Sequence, residues 1–185
     1  MSTNSPIKVL FLGSPNSGKT TLINGFIGKD VLPESMWRST RIRTYIGGAD
    51  NNSDCVFLFD VDSTIPKRID AKNFIDYSSY ELDDKHPVNN NIESKMTAVI
   101  PTRHILSDYD ICLIDTVGFG VNCFDDKETI KAIDDADVVV IIYDASRFGG
   151  FTNDELLFLK EHMFSNDGSF PIERIIVVPN KIDKV

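Results

Sequence analysis

Apolar residues fall into short runs divided by polar, glycine-bearing stretches, and two periods alternate along the chain. Ile7–Leu12 predicts a short buried strand. Thr21–Ile27 predicts the opening of a helix, with Leu22, Ile23, Phe26 and Ile27 on one face and Gly28 as its stop. Lys29–Thr44 has no steady period and predicts an extended loop. Tyr45–Ile46 and Cys55–Phe59 predict two short strands around the turn-rich Gly47–Asp54. Residues 60–91 are polar and acidic, with weak helical patterning over Ile69–Tyr77, which suggests an insertion over 60–95. Met96–Ile100 predicts a strand paired with Asp110–Ile114 across the turn formers at His104–Asp108.

The later half is more regular. Ile111–Ile114 predicts a buried strand ending at Asp115, Asp126–Ala136 an acidic helix, and the apolar run Val138–Tyr143 a central parallel strand. Thr152–Glu155 spells a capping box, T-x-x-E, ahead of a helix carrying Leu156, Leu157, Leu159 and Met163. Ile175–Val178 predicts the last strand. Strands alternating with helices imply a three-layer, doubly wound α/β domain with a mostly parallel sheet. Its ligand should lie beyond the carboxyl ends of the strands.

Three motifs stand at such strand ends. Gly13–Thr20, GSPNSGKT, fits G-x-x-x-x-G-K-[S/T] between a strand and a helix. Its glycines let the backbone curl close to an anion, so that N–H groups from Ser14 and Asn16 through Thr21 face a phosphate chain: Ser14, Asn16, Ser17, Gly18, Lys19, Thr20 and Thr21. Lys19 adds a point charge at the β- and γ-phosphates, and the Thr20 hydroxyl completes a Mg²⁺ shell. Asp115–Gly118, DTVG, fits D-x-x-G: the carboxylate can hold Mg²⁺ through a water, and the Gly118 N–H can approach a γ-phosphate. Asn180, Lys181 and Asp183 belong to NKID, an N-K-x-D element. The Asp183 carboxylate only accepts hydrogen bonds, and guanine offers it both N1–H and the 2-amino group, whereas adenine does not. A loop threonine must also reach Mg²⁺ and the γ-phosphate, and Ser39, Thr40 and Thr44 are the candidates.

Composition narrows the partners. The 185 residues carry a formal net charge of −9, and no basic stripe suits a nucleic-acid backbone. Arg38, Arg41 and Arg43 read as a solvated loop near the nucleotide. Cys55, Cys112 and Cys123 are odd in number and lack C-x-x-C spacing, which suits a reducing, cytoplasmic compartment. No run approaches the ~20 apolar residues of a membrane-spanning helix, so any membrane contact is expected to be peripheral.

The ordered set GSPNSGKT, a loop threonine, DTVG and NKID resembles GTPase domains. The stretch LINGFIGKDVLP (22–33) followed by Ser39–Thr40 is similar to the start of dynamin-like GTPase domains, particularly bacterial ones. The long separation between Lys19 and Asp115 fits the insertion of that family. The resemblance selects Thr40 as the switch threonine. It implies GTP binding and Mg²⁺-dependent hydrolysis to GDP, with Lys19, Asn16, Thr40 and Gly118 at the reacting end and Thr20, Thr40 and Asp115 around the metal. It also implies self-association through the nucleotide face and membrane remodelling. Pro15 stands where eukaryotic dynamins carry a water-positioning glutamine, and Phe119 leaves no glutamine after D-x-x-G. The P-N-x-G-K spelling is similar to cation-activated bacterial GTPases, in which the residue matching Asn16 coordinates K⁺. The chain stops two residues after Asp183, so it reads as a dynamin-type domain, residues 1–185, whose last strand, final helix and membrane-contacting parts are missing. A nucleotide-binding switch with little catalysis and a ribosome- or tRNA-maturation GTPase are the alternative readings.

Overall fold

The computed structural model describes residues 5–28, 30, 32, 43–47, 55–60, 65–70, 73–74, 96–100, 108–116, 118–119, 123–147, 150–164 and 170–184. In chain order the strands are β1 (Ile7–Leu12), β2 (Arg43–Ile46), β3 (Cys55–Asp60), β4 (Lys67–Asp70), β5 (Met96–Ile100), β6 (Ile111–Asp115), β7 (Val138–Asp144) and β8 (Ile175–Asn180). The helices are α1 (Lys19–Ile27), α2 (Cys123–Asp135) and α3 (Asn153–His162). The strands form one sheet in the order β4-β3-β5-β2-β6-β1-β7-β8. β6, β1, β7 and β8 run parallel, with Phe11 beside Asp115 and Asp144 beside Asn180.

Alternation along the central strands produces the layers. Phe11 of β1 and Val140 and Ile142 of β7 join Ile23 and Ile27 of α1 in one core. Their neighbours Leu10, Leu12, Val139 and Ile141 face the other way, into a core with Ala132 and Ile133 of α2 and Phe158 and Leu159 of α3. A strand buried on both faces must be apolar throughout, which is why β7 reads as an unbroken run. β1 is flanked by β6 on one side and β7 on the other, so the connections wind in opposite directions from it. The crevice at this reversal, above the carboxyl end of β1, is where such sheets hold ligands.

Helix ends follow their local signals. Gly28 closes α1 in the left-handed region, φ 73°, with its N–H bonded to the Asn24 carbonyl. Thr152 and Glu155 make the full capping box of α3: Glu155 N–H donates to Thr152 Oγ1 at 3.2 Å, and Thr152 N–H donates to Glu155 Oε2 at 2.6 Å.

Several expectations are corrected. β5 does not pair with β6; β2 lies between them, parallel to β5 and antiparallel to β6. The turn formers before β6 suggested a hairpin, but both edges of β2 are used by strands distant in sequence. The helical patterning from Ile69 gives way to a strand, β4, because β3 offers an open ladder to Lys67–Asp70. Thr44 is in β2 and not in the loop, directly opposite Asp115. Phe26 of α1 and Leu156 and Leu157 of α3 are about half exposed, and Phe158 takes the core position instead. Cys112 is half-buried, not fully buried. Among the described residues β8 is one of the two edge strands, the other being β4, and Ile176 and Val177, on opposite faces of β8, are both 53% exposed. Most of the expected insertion lies outside the described residues.

Candidate functional site

The loop between β1 and α1 is shaped by backbone that only some residues adopt. Asn16 has φ 60° and Gly18 φ 94°, both in the left-handed region, where glycine carries no steric cost. A Cβ on Gly18 would collide with Asn180 Nδ2, and one on Gly13 would collide with the Ile142 carbonyl and lie 2.7 Å from Ser17 Oγ. Lys19 is buried, and its Nζ donates to the carbonyls of Gly13 at 2.9 Å and Ser14 at 3.1 Å. Burial pulls its pKa down from 10.5 to about 8, against the opposing pull of the Asp115 charge. The buried hydroxyls of Ser14 and Ser17 have no hydrogen-bond partner among the described residues. A curled loop with a buried ammonium and two such hydroxyls fits a phosphate chain.

Beside it, Thr20 Oγ1 donates to Asp115 Oδ2 at 3.3 Å, both side chains buried. This adjacency of a hydroxyl and a carboxylate fits a Mg²⁺ ion shared with phosphates. Among the described residues no cluster of three or more His, Cys, Asp or Glu side chains could hold a metal unaided. Thr116 Oγ1 donates to the Phe11 carbonyl at 3.2 Å, tying the D-x-x-G segment to β1. Gly118 packs on the phosphate loop, where an added Cβ would stand 2.6 Å from Pro15 N and 2.9 Å from the Ser14 carbonyl carbon. Phe119 is turned away into the core, stacked on Phe158 with ring centroids 4.6 Å apart.

The third element locks onto the first. Asn180 Nδ2 donates to the Ser17 carbonyl at 2.8 Å, and Asn180 Oδ1 accepts from the Lys181 N–H at 2.9 Å. Lys181 is itself left-handed, φ 59°. Its Nζ donates to Asp144 Oδ2 at 2.7 Å. Burial works to raise the Asp144 pKa, but hydrogen bonds from Lys181 and from the side chain and backbone of Ser146 outweigh it and hold it at about 2. Asp183 is exposed in a single 3₁₀ turn, Ile182–Lys184, at the same edge.

Ser14, Asn16, Ser17, Gly18, Lys19, Thr20 and Thr21 therefore meet Asp115, Gly118, Asn180 and Lys181 at one end of the sheet. Thr40, Ser39, Arg38 and Arg41 lie outside the described residues. Arg43 opens β2, its guanidinium carbon 5.8 Å from the Tyr45 ring centroid. Sequence reasoning missed Asp144, although it is the first acid after an apolar run at a strand end, the same signal that marked Asp115. It also passed over Asn24, whose amide exchanges two hydrogen bonds with the Leu32 backbone, at 2.8 and 3.0 Å, and so ties Leu32 to α1.

The model of the dynamin family matches residues 9–182, nearly the whole chain. The chain belongs to the dynamin family. It is a dynamin-type GTPase domain, of a family that generally hydrolyses GTP. Mouse mitofusin-2 is 28% identical to this dynamin-family chain over 138 residues, covering 74% of it and 17% of the mitofusin. Two chains of an oligomerised bacterial dynamin pair, described as sensing and tethering membranes at long range, share the fold with TM-scores of 0.66 and 0.63 at 18% and 17% identity. Each alignment covers 98% of this chain and 26% of the other. Era, solved with MgGDPNP and a segment of 16S ribosomal RNA, aligns with a TM-score of 0.51 at 17% identity, covering 98% of this chain and 43% of that one. The chain thus spans about a sixth to a quarter of the mitofusin and bacterial dynamin chains it matches.

Proposed function

We propose that this dynamin-family domain binds GTP with Mg²⁺ at the carboxyl ends of β1, β6 and β8 and hydrolyses it to GDP. In a longer protein, turnover would be coupled to self-association through the nucleotide face and to membrane remodelling. The observation that carries the reading is the Asn180–Ser17 hydrogen bond, which joins the base-recognising loop to the phosphate loop. Ser14, Asn16, Ser17, Gly18, Lys19, Thr20 and Thr21 would cradle the phosphates. Thr20, Thr40 and, through water, Asp115 would hold Mg²⁺, which supplies charge neutralisation at the β- and γ-oxygens. The Gly118 N–H would meet the γ-phosphate, and backbone near Thr40 would order the attacking water. Among the described residues no helix is long and apolar enough to cross a membrane.

Titration of the chain with fluorescent GDP and Mg²⁺ is expected to saturate, and single-turnover GTP hydrolysis is expected to be measurable. Saturable binding without hydrolysis, even under conditions that promote oligomers, would leave a nucleotide-dependent switch instead. Base selection should reside in Asp183. Asp183→Asn is expected to weaken GDP binding by about 10- to 100-fold, the cost of a lost charged hydrogen-bond pair. The same change should improve binding of xanthosine diphosphate, whose 2-oxo group matches the new amide donor. An unchanged preference for GDP would remove Asp183 from the base site.

Asn16 is the residue we assign to K⁺. It is exposed at the turn of the phosphate loop, where a bound monovalent cation would supply positive charge beside the transferring phosphate. Turnover is expected to rise when K⁺ replaces Na⁺, and Asn16→Ala should erase the difference. Equal rates in the two salts would end this assignment.

A further inference from the structure

Asp144 is a buried acid that the motif set does not include. It ends β7, in register with Asn180 at the end of β8. One carboxylate oxygen, Oδ1, accepts from Ser146 N–H at 3.1 Å and Ser146 Oγ at 2.5 Å. The other, Oδ2, accepts from Lys181 Nζ at 2.7 Å and lies 3.7 Å from Arg147 Nε. Arg147 also reaches Glu155 Oε1 at 3.4 Å. Glu155 in turn closes the capping box of α3, so the carboxylate is braced from the helix side. A buried charge held this way favours one position for its partner, because movement of Lys181 would cost Asp144 its nearest cation and leave Oδ2 only the longer contact to Arg147.

Lys181 needs such a brace. Its backbone is left-handed, a conformation that costs a side-chain-bearing residue energy and persists only where its surroundings enforce it. Asn180 Oδ1 grips the Lys181 N–H from one end, and Asp144 grips the Nζ from the other. Asp183 stands two residues beyond, exposed, and takes its place from this turn.

We propose that Asp144 is a positioning residue for guanine recognition: by holding Lys181 it sets the turn that places Asp183 against the base. The inference rests on the guanine-nucleotide reading above. It adds a specificity-determining side chain from β7 to an element otherwise read as N-K-x-D alone.

The test compares GDP with inosine diphosphate, which lacks the 2-amino group that Asp183 would accept from, using the full chain with Mg²⁺. Native protein should prefer GDP. Asp144→Asn should weaken GDP binding by about 10-fold or more, in line with a lost charge-assisted hydrogen bond, while inosine diphosphate loses less, so the preference collapses toward unity. General destabilisation would weaken both ligands alike and leave their ratio intact. Asp144→Asn combined with Lys181→Met should cost no more than Lys181→Met alone. Unchanged selectivity in Asp144→Asn, or additive losses in the double variant, would overturn the proposal. Should Asp144→Asn not fold, Lys181→Met decides: methionine keeps a side chain on the left-handed backbone but offers Asp144 no donor. Collapse of the ratio supports the proposal, and its retention overturns it. Failure of the native chain to bind GDP at all would instead remove the underlying functional reading.

Discussion

Lys19→Ala is expected to abolish nucleotide binding, lowering affinity for GDP by about 10²–10⁴-fold, the range for breaking a buried, hydrogen-bonded charge pair of about 3–5 kcal/mol. The ammonium is withdrawn from water and bonded to the carbonyls of Gly13 and Ser14. It is therefore positioned before any ligand arrives. Removing it relieves a desolvation cost but strips two carbonyls of their donor, so the fold should survive with Tm shifted by about 4 °C or less. Labelled-GDP titration beside a thermal melt checks both halves, and normal affinity in a folded variant would sink the phosphate-loop assignment. The same lysine predicts a pH dependence. Its pKa of about 8 in the free fold should rise beside phosphates, so binding takes up a proton above pH 8. Affinity should therefore fall as the pH rises past 8. The unliganded fold should behave oppositely. There the unfolded chain, with its ordinary pKa of 10.5, binds more protons than the native one, so stability should rise between about pH 8 and 10.5.

Gly118→Ala is expected to cut the single-turnover rate by about 10²–10³-fold, the effect of losing one backbone donor at developing charge. GDP binding should change far less, because the role proposed for Gly118 is at the γ-phosphate, which GDP lacks. The reason is contact with the phosphate loop: an alanine methyl would meet Pro15 N at 2.6 Å and Pro15 Cδ at 2.8 Å. Neither a backbone nitrogen nor a closed ring can swing away, so the two loops must part. Overpacking of this kind costs about 1–3 kcal/mol, which a melt would register as a fall of several degrees. Hydrolysis at the native rate by Gly118→Ala would show that the two loops need not touch during turnover.

How far the fold was legible depended on whether each element was specified locally. The span of β1, the αL stop at Gly28 and the capping box at Thr152 and Glu155 each follow from residues within a few positions of one another, and each is found as read. β4 and the partners of β5 were misread for the opposite reason. A four- or five-residue strand carries little periodicity, and its identity depends on which distant ladder is open to it. Phe26, Leu156 and Leu157 show the same limit on a smaller scale. Helical spacing says which side chains share a face, but the neighbouring layers decide how wide the buried stripe is.

From its order of residues alone this chain specified three strand-end motifs, the alternating α/β plan and the edge of the sheet at which the motifs gather, because a short segment carries both its conformation and its chemistry. Tertiary structure alone decided that Asn180 bonds to the Ser17 carbonyl, that Gly118 rests on Pro15, that β2 separates β5 from β6, and that Asp144 holds Lys181. Each of these joins residues far apart in the chain. Such pairings are selected by competition among all the surfaces and ladders that folding brings together, and no local stretch encodes the outcome of that competition.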